Sequence, residues 1–299
     1  YFVVFPMGIL LYDSIMVNGA INFGNYADVY SQDVNWRALS NTVQLSLLVM
    51  VASVIITFPL AWLVGRTDMP GKKTYRTLLV ASYMIPYVGA IAWVQLLNPS
   101  VGYLNSIFKW ILQLQQSPFD IYTMGGLAWV LTLFYSPFAF ITISRAMEKM
   151  DPTLEEAARV SGASPLRTLV DVTLPLMAPS ILAGGLLVFI AAGSCFGIPA
   201  IVGMPGNIEV MTTRIVTYIY MGNDEGIRDA TALAASLMFL ANFLLFFMTW
   251  MLGRKDYTTI SGKSTRPNIV ELGKWKWPAF CGVGLYAFIA VILPLGSIL

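Results

Sequence analysis

Long apolar stretches alternate with short polar segments along the whole chain. A helix that crosses the hydrocarbon core of a bilayer needs about 20 mostly apolar residues, and several of these stretches reach that length. Shorter amphipathic helices are expected in the loops, for example at 104–114. The pattern therefore predicts an all-α integral membrane protein. The predicted spans are residues 1–12, 41–64, 77–97, 121–143, 176–202, 230–252 and 278–299.

The composition supports this class. Hydrophobic residues make up 57% of the 299 residues and charged residues 11%, whereas a soluble domain has about 25% charged residues. So few charges argue against a soluble enzyme and against a nucleic-acid-binding protein, which needs a basic surface. The chain has no histidine, which excludes catalysis by imidazole and His-ligated metal sites. We interpret Cys195 and Cys281, each in an apolar run, as packing residues rather than a disulfide or a metal site.

The distribution of basic residues indicates which loops face the cytoplasm. Most of the 18 Lys and Arg residues lie in three loops, and the intervening loops hold only four. Cytoplasmic loops of membrane proteins are enriched in Lys and Arg. The three basic loops, residues 65–76, 144–175 and 253–277, are therefore predicted to be cytoplasmic.

Glycine and proline interrupt the long apolar stretch at 193–205. Such residues are tolerated in membrane helices where a neighbouring helix or a cavity satisfies the freed backbone groups. Two interpretations stay open: ordinary close packing of helices, or a broken helix that lines a pathway or gate. The second makes Gly193, Ser194, Gly197 and Pro199 candidate pathway residues. No charged residue lies deep in any predicted span, which argues against a proton-driven transporter.

A short segment near the start of the chain resembles one near the end. Residues 3–8 (VVFPMG) and 291–296 (VILPLG) have three identical positions and three apolar exchanges. Chance explains the similarity of two six-residue apolar segments equally well. However, each segment lies in a span that is predicted to be the first of a repeat unit. We therefore expect one six-helix unit and the first helix of a second copy, in a native protein of about twice this repeat. The expected parts are a first helix with an external loop (1–40), a core domain (41–252), a cytoplasmic linker (253–277) and the second copy's truncated first helix (278–299).

The cytoplasmic loop before the fifth predicted span is expected to form two short helices. Asp151 can cap the first helix, or Thr153 and Glu156 can form a capping box. Gly162 is expected to end this helix, because glycine adopts the left-handed conformation without a Cβ clash. The second helix is expected to reach Pro175, where the chain turns back into the membrane.

One face of the first loop helix is narrow and made mostly of small residues. A predicted ion pair between Glu155 and Arg159, four residues apart, lies beside that face. A face of small residues lets a helix sink into the groove of a partner. The pattern alone is equally satisfied by a helix that packs on its own protein. The residues that share this face are Leu154, Ala157, Ala158 and Ser161.

This loop resembles the EAA loop of bacterial ATP-binding-cassette (ABC) importer permeases. The family pattern is Glu-Ala-Ala, three residues, Gly, nine residues and Ile-x-Leu-Pro. Residues 156–175 follow this spacing, with Val172 in place of the usual Ile. Elsewhere, Asn41-Thr42 resembles the start of the family's core domain, and residues 82–93 and 98–105 resemble the fused permeases of ferric-iron importers.

The resemblance implies a type I ABC importer permease fold in the bacterial inner membrane. It implies three protein partners: a second permease half in the same chain, a cytoplasmic ATPase dimer and a periplasmic substrate-binding protein. The loop would be the coupling helix that docks on the ATPase. The chain has no P-loop pattern, so we expect ATP on the partner ATPase, no cofactor or metal in this chain, and no enzyme activity. The expected ATPase-coupling residues are Leu154, Glu155, Glu156, Ala157, Ala158, Ser161, Gly162, Leu174 and Pro175.

The substrate follows only from the resemblance, which favours ferric iron. Polyamine, phosphonate and thiamine importers have similar permeases. The spans contain no cluster of iron-ligating side chains. An integral membrane enzyme is the alternative class, and it would need convergent polar groups at membrane depth. The spans offer only scattered ones, such as Ser194 and Asn242.

Overall fold

The computed structural model describes residues 4–17, 20–81, 83, 86–150, 153–253 and 269–298. These residues are almost entirely helical, as the apolar pattern predicts. One short antiparallel ladder pairs Met16 with Ile21 and Val17 with Ala20. The helices in chain order are α1 (Val4–Ile15), α2 (Gly24–Ser31), α3 (Asp33–Arg66), α4 (Lys72–Ala81), α5 (Pro86–Leu97), α6 (Tyr103–Leu112), α7 (Met124–Lys149), α8 (Thr153–Val160), α9 (Pro165–Thr168), α10 (Leu174–Gly193), α11 (Met211–Met221), α12 (Asp224–Gly253), α13 (Lys276–Ala287) and α14 (Leu293–Ile298).

Five helical segments among the described residues are long and apolar enough to cross a membrane. Two of the predicted spans are not among these five. The span expected at 1–12 is the shorter apolar helix α1 in the described residues, and the span expected at 77–97 is divided between α4 and α5. Pro86 is the first residue of α5, where a missing backbone N–H costs no hydrogen bond. The five long segments are Asp33–Arg66, Met124–Lys149, Leu169–Gly193, Asp224–Trp250 and Gly273–Ile298.

Other boundaries also shift from those expected. α3 has 34 residues and begins at Asp33, ahead of the predicted start at 41. The predicted amphipathic helix at 104–114 is confirmed as α6, which ends where Gln113 takes φ 51°. The last predicted span was expected to begin at Pro278. In the structure a 3₁₀ turn at Gly273–Trp275 leads into α13, so the helical segment begins earlier. Most of the predicted linker, residues 254–268, lies outside the described residues, as does Val3 of the short repeat.

The described residues divide into two compact units. The first comprises segments within residues 1–48, 86–131 and 189–246. Its hydrophobic core packs Val29 against Met211, Tyr218 and Leu233. Next to this core, the buried Asn35 donates from Nδ2 to the carbonyl oxygen of Val29 at 2.7 Å and to the hydroxyl of Tyr218 at 2.9 Å.

The second unit comprises segments within residues 49–85, 132–188 and 247–299. Close helix packing here uses a glycine: a Cβ on Gly184 would lie 3.2 Å from the Cα of Ala139. A short hydrogen bond of 2.6 Å joins the hydroxyls of Ser136 and Tyr286. Cys281 lies in this unit and is exposed, whereas Cys195 lies in the other unit, and both are free thiols.

Candidate functional site: the loop helices and the broken helix

The first loop helix, α8, ends as the sequence predicts. Gly162 has φ +86°, a conformation that side chains with a Cβ rarely adopt. Its N–H donates to the carbonyl oxygen of Arg159 at 2.9 Å, and the N–H of Ala163 donates to that of Ala158 at 3.0 Å. These two bonds form a Schellman motif, which satisfies carbonyl groups that the helix end leaves open. At the other end of α8, the predicted cap Asp151 lies outside the described residues.

The second loop helix does not end at Pro175, so the predicted turn into the membrane is wrong. Ser164 caps the start of this helix, since its Oγ accepts from the N–H of Arg167 at 3.3 Å. α9 then continues through a π-helical turn, Leu169–Thr173, directly into α10. The N–H of Leu174 bonds to the carbonyl oxygen of Leu169, five residues back, so the extra residue of the π turn comes just before the proline. The loop and the membrane helix are therefore one continuous helical segment.

The exposed face of α8 is broader than the predicted stripe. Leu154, Ala157 and Ser161 are exposed and Ala158 is half-buried. Val160 was not among the predicted residues, and its side chain is 90% exposed. The remaining predicted loop residues, Glu156, Gly162, Leu174 and Pro175, are also exposed.

Glu155 is the exception, because its side chain turns inward. It is 6% exposed, and its Oε1 accepts a 2.8 Å hydrogen bond from Oγ1 of Thr173. The predicted ion pair with Arg159 is wrong: among the described residues, the cation within ion-pair distance of Glu155 is Arg66, whose Nη1 lies 4.0 Å from Oε2. A residue buried on the protein's own side does not form part of the exposed face, so Glu155 anchors α8.

Arg66 faces Glu155 and is the second residue that anchors α8. The sequence did not reveal this role. Arg66 is the last residue of α3 and only 1% exposed, and its Nη2 donates to the carbonyl oxygen of Met150 at 3.1 Å. In the sequence it was one of four basic residues in a loop predicted to be cytoplasmic, and such residues are usually solvated. The available signal was its place at the end of an uncharged run of 28 residues, 38–65, since a charge there is adjacent to buried structure.

The predicted break in the helix at 193–205 is confirmed as a structural feature. α10 ends at Gly193, and a π-helical turn at Pro199–Gly203 and a 3₁₀ turn at Met204–Gly206 follow. The carbonyl oxygen of Cys195, inside the break, accepts from Oγ1 of Thr212 at 2.8 Å. Thus part of the freed backbone is satisfied by α11, as expected for irregular structure in a membrane helix.

The four candidate pathway residues occupy different environments. Ser194 is exposed, Gly193 is half-buried, and Gly197 and Pro199 are buried. A Cβ on Gly193 would lie 2.9 Å from Oγ of Ser46, and one on Gly197 would overlap the ring of Tyr87. Gly193 and Ser194 line a narrow apolar pocket together with Thr42, Ser46 and Phe189. The two glycines therefore allow close contacts, and the pathway role of these residues stays a prediction.

Within the described ranges, no group of three or more His, Cys, Asp or Glu residues could hold a metal ion. A polar cluster that follows the break in sequence centres on Arg214. Its Nε donates to Oδ1 of Asn35 at 3.2 Å, and its guanidinium carbon lies 4.6 Å from the centre of the Tyr218 ring. Because Glu209 also pairs with Arg214 at 3.4 Å, this cluster is internally satisfied and joins α3 to α11.

Three curated relatives represent the similarity of this chain to transport proteins. The ferric transport system permease protein FbpB of Actinobacillus pleuropneumoniae is 26% identical over 240 residues, which cover 79% of this chain and 34% of that protein. The spermidine/putrescine permease PotB of Salmonella typhimurium SL1344 is 22% identical, with coverages of 83% and 86%. The sulfate permease CysT of Salmonella typhimurium LT2 is 28% identical, with coverages of 78% and 82%. The chain thus spans about a third of the length of its ferric relative.

A solved structure shows the same fold. The structure of a bacterial alginate ABC transporter, in complex with a periplasmic protein that holds an alginate pentasaccharide, matches 88% of this chain and 91% of its own, with a TM-score of 0.66 and 23% identity. Residues 57–255, about two thirds of the chain, match the family described as binding-protein-dependent transport system inner membrane component. The chain therefore belongs to this family, the membrane permeases of ABC importers.

Proposed function

We propose that this chain lines the translocation pathway of an ABC importer and couples it to a separate cytoplasmic ATPase through α8. The observation that supports this most directly is the contrast between the two sides of α8. One side is anchored by the buried Glu155, and the other exposes Ala157 and Val160 to solvent. A rigidly held helix with an exposed face of small and apolar side chains is suited to dock in the groove of a partner.

The importer that we propose has three further parts: an ATPase dimer, a periplasmic binding protein and a second permease half. ATP is bound by the partner ATPase dimer, and this chain holds no cofactor of its own. A periplasmic protein delivers substrate from outside the inner membrane, and a second permease half completes the pathway. The short repeat at residues 3–8 and 291–296, together with the greater length of the ferric relatives, supports a second half in the same chain.

The coupling part of the proposal is tested with Gly162→Asp in the whole transporter. The matched control is Gly222→Asp, because Gly222 also ends a helix with positive φ, +68°, and a Cβ there also meets no atom within 4 Å. Both variants carry the same type of backbone strain. We expect only Gly162→Asp to lose uptake while remaining in the membrane. Normal uptake by Gly162→Asp, or equal loss in both variants, would contradict a special role for this loop.

Ferric iron is the substrate that we propose. Its support is the resemblance of residues 82–93 and 98–105 to ferric permeases and the two ferric relatives, which are 26% and 25% identical. Polyamines are the second candidate, because the polyamine permease aligns over 86% of its own length. Sulfate is the third, because the sulfate permease is 28% identical.

The substrate is identified by uptake into cells that express the whole transporter with its own binding protein. Radioactive ferric citrate, spermidine and sulfate are compared, each with Gly162→Asp as the uncoupled control. Saturable uptake of iron alone, lost in the control, is the expected result. Uptake of spermidine or sulfate instead, again lost in Gly162→Asp, would support the importer function but contradict ferric iron as the substrate.

A further inference from the structure

The buried arginine at the end of α3 lacks a full set of hydrogen-bond partners. Arg66 is 1% exposed, and burying a guanidinium is costly unless a negative charge and hydrogen bonds compensate it. Its Nη2 bonds to the carbonyl oxygen of Met150, but its Nε and Nη1 have no hydrogen-bond acceptor within the described parts of the chain. The carboxylate of Glu155 is the negative charge that faces it, at 4.0 Å.

That carboxylate contacts a third element. Oε1 of Glu155 accepts from Oγ1 of Thr173 at 2.8 Å, and Thr173 is the last residue of the π-helical turn that leads into α10. Thr173 is itself 1% exposed. One carboxylate on α8 therefore connects the loop helix with the ends of two membrane helices, α3 and α10.

A second arginine on α8 is also partly buried. Arg159, one turn further along α8, has a buried Nε without a hydrogen-bond partner in the described structure. Among the described residues, the ion pair of Glu155 is with Arg66 and not with Arg159. Loss of the Glu155 carboxylate would therefore leave the guanidinium of Arg66 buried without the negative charge that faces it.

We propose that Glu155 is a positioning residue that transmits movement of α8 to α3 through Arg66 and to α10 through Thr173. This inference rests on the proposed docking of α8 on an ATPase. The pair would alternate between two arrangements. At 4.0 Å the contact is longer than a hydrogen bond, and a shift of about 1 Å brings Nη1 into bonding range. In the described arrangement Thr173 holds the carboxylate, and a push on the exposed face of α8 moves it toward Arg66.

The test uses the complete transporter, with its ATPase and binding protein, in proteoliposomes. The single variants are Glu155→Gln and Thr173→Val. We expect the ATPase to remain bound, and the amount of substrate moved per ATP to fall about tenfold, which is within the usual range of coupling between two sites. Unchanged transport per ATP in Glu155→Gln would overturn the inference.

A double variant separates transmission from simple stability. Arg66→Met with Glu155→Leu removes both buried charges and leaves apolar side chains, which proteins tolerate well in place of a buried ion pair. We expect this variant to regain the expression level and melting temperature of the parent but not its transport per ATP. Recovery of coupling together with stability would show that the pair is structural only.

The failure of this inference is distinguishable from failure of the proposed function. Val160→Asp changes the exposed face and leaves the anchor intact. If Val160→Asp releases the ATPase while Glu155→Gln transports normally, only the transmission is refuted. If Val160→Asp and Gly162→Asp both leave ATPase binding and uptake unchanged, the docking itself is refuted.

Discussion

The ammonium group of Lys276 lies 3.0 Å from Oδ2 of Asp68, although 208 residues separate the two in sequence. The N–H of Leu272 donates to the other carboxylate oxygen at 3.0 Å, and Thr67 pairs with Val270 in an isolated parallel bridge. These contacts join the segment before α13 to the end of α3. Asp68 therefore links the start of α13 to the residues that directly follow α3.

This contact predicts an acid-sensitive contribution to stability. The N–H of Leu272 and then the side chain of Lys276 hold the pKa of Asp68 below its ordinary value. A lowered folded-state pKa means that the stabilisation is fully present above the unfolded value, about 3.9, and is lost as pH falls through the lowered pKa. We expect the melting temperature of the detergent-solubilised chain to fall between pH 5 and 3 by less in Asp68→Asn than in the parent.

Lys276→Gln is the matched control for this measurement. It removes the second cause of the shift and keeps the N–H of Leu272, so an intermediate acid sensitivity is expected. Identical pH profiles for the parent and Asp68→Asn would show that this carboxylate contributes nothing to the acid response.

The exposed face of α8 gives a prediction about assembly. Val160→Asp places a charge on a side chain that is 90% exposed, so the fold itself should be unaffected, with a change in unfolding free energy within about 0.5 kcal/mol. If this face docks on an ATPase, burying the new carboxylate without a partner costs several kcal/mol, and the complex should dissociate on co-purification. Val101→Asp, at an exposed turn near α6, is the control and should retain the ATPase.

Close packing at the helix break predicts a coupled pair of substitutions. A Cβ on Gly193 would lie 2.9 Å from Oγ of Ser46, so Gly193→Ala forces this buried hydroxyl to shift. Overpacking of this kind costs about 1–3 kcal/mol. Ser46→Ala removes the clashing atom, Oγ of Ser46, which has no hydrogen-bond partner in the described structure. The double variant should therefore recover most of the lost stability.

Thermal unfolding of the two single variants and the double variant measures this coupling. Gly89→Ala is the control, because a Cβ on Gly89 meets no atom within 4 Å. Additive effects in the double variant would mean that the two residues do not constrain each other. Uptake measured on the same set shows whether the close contact at Gly193 matters for transport.

A buried amide on α6 predicts a large effect on stability. Asn105 is 1% exposed, and its Nδ2 lies within 3.1 Å of the carbonyl oxygens of Leu97, Asn98 and Phe119. Asn105→Asp replaces this donor with a carboxylate oxygen that repels all three. We expect a loss of about 2–4 kcal/mol in unfolding free energy, observed as a lower melting temperature.

The matched control is Asn223→Asp, because Asn223 caps α12 through its Oδ1, which accepts from the N–H of Gly226 at 2.8 Å. Aspartate is an equally good N-cap, so this variant should melt like the parent. Equal stability of Asn105→Asp and Asn223→Asp would contradict the importance of the buried amide.

The class of the protein and the end of α8 were determined by the sequence alone. The apolar content is too high for a soluble domain, and Gly162 is the type of residue that a Schellman motif requires. Both signals are local: one depends on composition and the other on the backbone of a few successive residues. The family pattern at 156–175 is local in the same sense, and the match of residues 57–255 confirms the family that it indicated.

The direction of each charged side chain was decided only by the tertiary structure. Glu155 and Arg159 have the spacing of a helix-surface ion pair, but Arg66 and Thr173 compete for the carboxylate and bury it. Likewise, Pro175 indicated a turn, yet the π turn before it allows the helix to continue. A residue's own neighbours in sequence set its helical propensity, whereas its partners across the fold set its burial and charge balance. Those partners lie up to 208 residues away, so no local pattern encodes them.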